Sequence, residues 1–238
     1  MEQQMNILFE NKQILAAVKP VGMPCQSDPG GDLDFLSAVG VYLGRDCYLV
    51  HRLDRGTGGV MVFAKTKESA AVLSAMFAQH QAKKEYLAAT ERVPSDPEAE
   101  LCDYLYHDAR AGKSYAVDRA RKGAKEALLR YETLGTATDE KGDFALLSVL
   151  LLTGRTHQIR AQLSAHGHPL AGDGKYGGRD NRVKGTKCSL WAYRLTLPPH
   201  PFWGGERVFC SEPPLEDPWT RFQSFRAPQS TESADFES

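Results

Sequence analysis

Residues 48–64, Tyr48-Leu49-Val50-His51-Arg52-Leu53-Asp54-Arg55-Gly56-Thr57-Gly58-Gly59-Val60-Met61-Val62-Phe63-Ala64, hold the reading on which the fold turns. Tyr48 to Val50 is apolar enough for a strand running into His51, and Val60 to Ala64 is a second strand. Between them HRLDRGTGG mixes charges with glycines and cannot continue a buried strand, so it forms a loop held between two strands. Asp54 lies in that loop with Arg52 and Arg55 on either side. A single carboxylate among cations on a rigid platform favours its ionised form, which suits a nucleophile or an electrostatic stabiliser better than a general acid at neutral pH. A structural Arg–Asp pair would show the same triplet, so more of the chain has to be read.

Outward from this loop, helical and extended segments interleave without an internal repeat. Ile7–Phe9 and Ile14–Val18, separated by Glu10-Asn11-Lys12, predict a hairpin, and Lys19-Pro20-Val21-Gly22-Met23-Pro24 then stops regular structure. Phe35 to Leu43 predicts a short helix. Thr66 is an N-cap for another, whose apolar side is Leu73, Met76, Phe77 and His80. Lys84–Ala89, Ala127–Leu134 and the buried-type run Phe144–Leu152 predict strands. After Thr153-Gly154-Arg155 an amphipathic helix is expected from about Thr156 to His166, with Gly167 as C-cap and Pro169 as stop.

With 238 residues, 42% of them hydrophobic, the chain can bury one sizeable core. A formal net charge of -1 argues neither for nor against a polyanionic partner, so any nucleic-acid site must come from local clustering. Two clusters stand out. One is Lys113, Arg119, Arg121, Lys122, Lys125 and Arg130 against Asp118 and Glu126; the other is Lys175, Arg179, Arg182, Lys184 and Lys187. Five widely spaced cysteines without a CxxC pair fit a reduced, cytoplasmic chain. No export signal and no run of about 18 apolar residues is present, so a membrane-spanning role is not expected. Gly59–Thr66 is one residue short of a P-loop and its middle is an apolar strand, so nucleotide binding there is rejected. His157, His166, His168 and Asp173 lack the spacing of a metal site.

Four ordered segments then carry a resemblance. HRLDR (51–55) with Thr57 and Phe63-Ala64-Lys65 is similar to the signature loop of RluA-family RNA pseudouridine synthases. ILAAVKPVGMP (14–24) resembles their N-terminal hairpin and Lys-Pro-x-Gly turn, and Lys84-Glu85-Tyr86-Leu87-Ala88 their tyrosine motif. Thr153-Gly154-Arg155-Thr156-His157-Gln158-Ile159-Arg160, continued by Gly167-His168-Pro169-Leu170 and Gly172-Asp173, resembles their third motif. The resemblance implies an α+β fold with a central, mainly antiparallel mixed sheet flanked by helices and loops. It implies isomerisation of uridine to pseudouridine in structured RNA, an rRNA or tRNA stem-loop; that reaction demands neither metal nor organic cofactor, and the oligomeric state is not read from the sequence, a monomer being the expectation. By position, Asp54 matches the catalytic aspartate, Tyr86 the active-site tyrosine, and Arg160 the basic partner of the aspartate. Arg52 matches the arginine that takes the space left by the extruded base. His51, Arg55, Lys84, Arg155, His157 and Gln158 are expected to border the substrate, and Arg119, Arg121, Lys122, Lys175 and Arg179 to track the RNA backbone. Residues 1–225 are expected to form one catalytic domain with no separate N-terminal RNA-binding domain, and 226–238 a disordered tail. The sequence departs from the family where Gly56 replaces an acidic residue and Gly58 a serine, which on sequence grounds loosens the loop. That departure motivates an alternative, a catalytically silent RNA-binding or RNA-folding protein; a third reading is a nucleosidase that would release free uracil.

Overall fold

In a computed structural model, residues 5–27, 32–140, 142–178 and 188–222 are described. Strand β4, Gly58–Ala64, is buried along its whole length, because it is covered on both faces. Met61 and Phe63 point to one side, where they join Phe35 and Val39 of helix α1 (Phe35–Leu43) and Ile159 and Leu163 of helix α3 (Gln158–Ala165). Val60, Val62 and Ala64 point to the other, against Leu73 and Met76 of helix α2 (Lys67–Ala78). The two-residue period of a strand thus assigns alternate side chains to two separate cores. Thr66 caps α2 by accepting the Ser69 amide, as its position predicts.

Around β4 the described strands form one 11-stranded sheet. Its order runs β1 (Ile7–Glu10), β2 (Ile14–Lys19), β4, β10 (Leu190–Leu197), β5 (Lys83–Glu91), β9 (Gly142–Leu151), β8 (Lys125–Asp139), β6 (Glu98–Asp108), β7 (Lys113–Val117). β3 (Tyr48–Leu49) pairs with the far end of β4, and β11 (Arg207–Cys210) with β10. Every pairing is antiparallel except β4 with β10, which gives the α+β, mainly antiparallel mixed sheet that the resemblance implied. Helices α1 and α3 share one face, so the loop after β3, the β5 tyrosine and α3 meet on the same side of the sheet.

The parallel junction corrects the reading of the glycines. A side chain on Gly58 would come within 2.3 Å of the Trp191 ring, and one on Gly59, whose φ is +116°, within 2.3 Å of the Ala192 carbonyl oxygen. The Trp191 indole is itself pinned by a 2.7 Å bond from Nε1 to the Ser211 carbonyl. Gly58 therefore fills no loose loop: it begins a buried strand and makes room for an aromatic ring. Helix α3 also starts later than expected, at Gln158, because His157 takes the left-handed conformation (φ 54°) and cannot belong to the helix. The second basic cluster from Arg179 to Lys187 and the tail from 226 lie outside the described residues.

Gly58→Ser is expected to lower stability by roughly 1–3 kcal/mol through overpacking, and Trp191→Leu in the same chain to recover most of it, as read by urea denaturation of the four variants.

Candidate active site

The Asp54 loop is fastened from three directions. The Thr57 amide donates to the Asp54 carbonyl (3.0 Å), closing a turn. From the turn after β2, the Gly22 amide and the Lys19 ammonium both donate to the Arg55 carbonyl (2.8 and 3.4 Å). From the other side Cys25 Sγ donates to the Leu53 carbonyl and accepts the Leu53 amide (3.1 and 3.2 Å). Lys19 is fully buried, and its Nζ also donates to the Pro20 and Met23 carbonyls (2.9 and 2.7 Å). Its burial pushes the amine down to about 8, an effect opposed by Cys25 and Asp54. In the sequence Lys19 is only part of a turn motif; that its ammonium braces the catalytic loop is visible only in the fold.

The guanidinium at Asp54 is not one of its sequence neighbours. Arg55 anchors the loop, with Nε on the Gly22 carbonyl (3.1 Å) and its fork on Asp32, while still bordering a cleft that Asp54 lines. Arg52 is exposed and has no side-chain partner among the described residues. The partner is Arg160, 106 residues on, whose Nη1 donates to Asp54 Oδ2 at 3.0 Å. Arg160 also forms a two-pronged pair with Asp173, Nε to Oδ2 at 2.7 Å and Nη2 to Oδ1 at 2.9 Å. Asp173 is 2% exposed. Burial works against the charge of Arg160, but the Asp173 bonds and the two carboxylates outweigh it and push its pKa above the ordinary arginine value. The Gly172-Asp173 pair after the third motif is the only trace of this role in the sequence.

Tyr86 and Lys84 lie two residues apart on β5 and face the same way, into a cleft of about 420 Å³ that Asp54 also lines. Burial first, and then the charge of Asp54, raise the Tyr86 pKa, so its phenol stays protonated. Lys84 has its pKa lowered by burial and has no hydrogen-bond partner among the described residues. His51 borders the same cleft, stacked on Phe77 with centroids 4.4 Å apart and accepting the Val62 amide at Nε2 (3.0 Å). Burial, and then Lys84, push its pKa down to about 3, so it enters the site as a neutral wall. Arg155 holds the Glu126 carbonyl through Nε (2.7 Å) at the cleft edge. Gln158, which borders the cleft, braces the turn before α3. Its amide donates to Leu128 and Gln162, its oxygen accepts from Thr153 and Arg155, and no capacity is left over.

A second cleft, about 540 Å³, opens on the other side of Arg52, Asp54, His157 and Arg160, toward Gln26, Ser27 and Lys175. The first basic cluster is elsewhere. Arg119 and Arg121 lie 5.5 and 3.9 Å from the ring centres of Tyr104 and Tyr106, which alternate with the α3-facing Leu105 and so point to the opposite face of the sheet. Arg130 is paired to Glu100. Lys175 does reach the cleft, with Nζ on the Gly112 carbonyl (3.0 Å).

The site thus presents a carboxylate fixed by a doubly paired arginine, facing a tyrosine-walled cleft. Residues 13–165 match the family described as RNA pseudouridylate synthase. The chain belongs to the RluA family of RNA pseudouridine synthases. It is 32% identical over 206 residues to the dual-specificity RNA pseudouridine synthase RluA of Escherichia coli K12, spanning 85% of this chain and 90% of that one. An uncharacterized RNA pseudouridine synthase of Aquifex aeolicus is 33% identical over 229 residues, 88% of this chain and 69% of that one. Among solved structures, human RNA pseudouridylate synthase domain containing 4 aligns with a TM-score of 0.71 and 26% identity, covering 88% of each chain. As an RluA-family member the protein is an isomerase acting on uridine in RNA.

Two outcomes test the frame of the site. Removing one partner of the buried pair, Asp173→Ala, is expected to cost about 3–5 kcal/mol, measured by urea denaturation. For Lys19, the folded chain holds fewer protons than the unfolded chain between pH 8 and the ordinary lysine value of 10.5. Wild-type stability relative to Lys19→Met should therefore rise with pH across that window, by roughly 3 kcal/mol in all. Paired denaturation curves at the two pH values measure it.

Proposed function

We propose that the protein converts uridine to pseudouridine in a stem-loop of rRNA or tRNA, with the target nucleotide turned out into the Tyr86 cleft and Asp54 as the reacting carboxylate. One observation carries this reading. Arg160 addresses Asp54 Oδ2, while Oδ1 has no donor among the described residues and the side chain remains a quarter exposed to the clefts.

The isomerisation breaks the bond from C1′ to N1, turns the freed base, and forms a bond from C1′ to C5. One proton leaves C5 and one arrives at N1, with no net redox change. Attack by the carboxylate on sugar or ring, and elimination steered at the sugar, make the same demand of the protein: an ionised carboxylate with one oxygen held and one free. Extruding the nucleotide costs a few kcal/mol, and stacking on the Tyr86 ring returns roughly 1–3 kcal/mol. Arg52, exposed at the junction of both clefts, is suited to enter the gap the base leaves. Lys84 supplies positive charge inside the cleft for a uracil oxygen or a phosphate. Arg119, Arg121, Lys122 and Lys175 track RNA phosphates away from the reacting bond. We assign the activity to a monomer in the cytoplasm. Gly58, which with Gly56 motivated the silent RNA-binding alternative, is accounted for by Trp191, which weakens the case for that alternative and leaves Gly56 as its motive.

Pseudouridine mapping by chemical adduct and primer extension, on RNA from cells lacking the protein, decides the reading. A position lost on deletion, restored by wild type and not by Asp54→Asn, is expected. Maps unchanged by deletion across rRNA and tRNA would overturn it. Replacing Arg119 and Arg121 by alanine should weaken RNA binding and lower its salt slope by about one for each phosphate that is no longer neutralised.

A further inference from the structure

His157 is held in a conformation its position does not explain. Its φ of 54° and ψ of 27° place a non-glycine residue in the left-handed region, at a typical cost of about 1–3 kcal/mol, and it makes no side-chain capping bond to α3. The turn before it is fixed independently, by Gln158 accepting from Thr153 and Arg155 and by Ser114 Oγ donating to the Thr156 carbonyl (2.6 Å). What the conformation achieves is aim. Nδ1 lies 3.0 Å from the Tyr176 hydroxyl, and Nε2 lies 3.8 Å from Asp54 Oδ2.

The Ser114 amide donates to the Tyr176 oxygen at 2.7 Å, which leaves the phenol's own proton free to go to His157 Nδ1. With Nδ1 accepting, the neutral ring carries its hydrogen on Nε2, toward the carboxylate; the other tautomer would aim a lone pair at Asp54. The charged and titratable groups around the ring are Asp54 and Arg52 of the loop, Arg160 of α3, Asp173, Lys175 and Tyr176 of the segment after it, and His107 of β6. Burial is the largest influence on the imidazole and favours the neutral form, with Asp54 opposing it.

We propose that His157 is a positioning residue for Asp54: its Nε2–H, aimed by Tyr176, acts with Arg160 on Oδ2 and so holds the carboxylate with Oδ1 toward the substrate. The assignment rests on the proposed function, with Asp54 as the reacting group, and goes beyond it by naming a second residue that fixes which oxygen reacts. The 3.8 Å separation is longer than a hydrogen bond, so the proposal requires the two groups to draw together when substrate is bound.

The first measurement needs no activity. Nitrogen NMR of histidine-labelled protein should show residue 157 protonated on Nε2 and bare on Nδ1; a proton on Nδ1 overturns the proposal whether or not the protein modifies the RNA tested. Kinetics on an RNA that wild type modifies are the second. His157→Phe and Tyr176→Phe should each lower kcat, the former roughly 10- to 100-fold, with KM changed less than about twofold. The double variant should be no worse than His157→Phe. A raised KM with unchanged kcat, or multiplying effects in the double variant, would each overturn it. Wild type that forms no pseudouridine would instead overturn the functional reading and leave the NMR result to decide this one.

Discussion

The Arg160 guanidinium, shared between Asp173 and Asp54, is the interaction on which the site depends. Arg160 is 9% exposed and Asp173 2%, so neither charge has enough water to stand alone. The two-pronged bond between them balances most of the desolvation and leaves one guanidinium nitrogen for Asp54. A single salt bridge between Arg160 and Asp54 would compete with solvent and let the carboxylate turn. Asp173 removes that freedom, because an arginine held at two nitrogens can offer the third in only one direction.

This arrangement sets demands on the sheet. Asp54 leaves the end of β3, Arg160 sits on α3 and Asp173 on the segment after it, so all three must be gathered on one face. The α1 and α3 side of the sheet provides that face through Leu15, Met61, Phe63, Leu147 and Leu163, all fully buried. The loop then has to meet Arg160 without moving, which explains the number of ties on its backbone: Lys19, Gly22 and Cys25 bond its carbonyls and amides, and the Cys188 amide reaches the Gly56 carbonyl. The glycines at 58 and 59 belong to the same requirement, since β4 can pair in parallel with β10 only if Trp191 and Ala192 come close to its backbone. Rigidity in this loop comes from its neighbours rather than from its own sequence.

The described strands that sequence patterns pass over show why such patterns fail. β6, Glu98–Asp108, buries only Leu101 and Leu105, so its alternation is drowned by charged and tyrosine side chains on the outer face. β7 and β11 are four or five residues long at the sheet's periphery. β10 reads as a mixed aromatic run whose partners, β4 and β5, lie far away in the chain.

By itself the sequence determined the identity of the chemistry: a loop interrupting two strands, Asp54 within it, and ordered motifs resembling one family. Those are local features, legible because loop chemistry and strand period act over a few residues. The third motif already pointed to Arg160 as the partner of Asp54; only the tertiary structure showed how Asp173 holds that arginine, that Arg55 and Gln158 bond the backbone around the site, and that Lys19 and Tyr176 support it. Most of those answers are contacts between residues from 13 to 106 positions apart, and no property of either residue's neighbours encodes their geometry. Charge next to Asp54 in the sequence was a poor guide because successive loop residues point apart, while the ordered third motif pointed to the arginine that the fold brings from a distant helix.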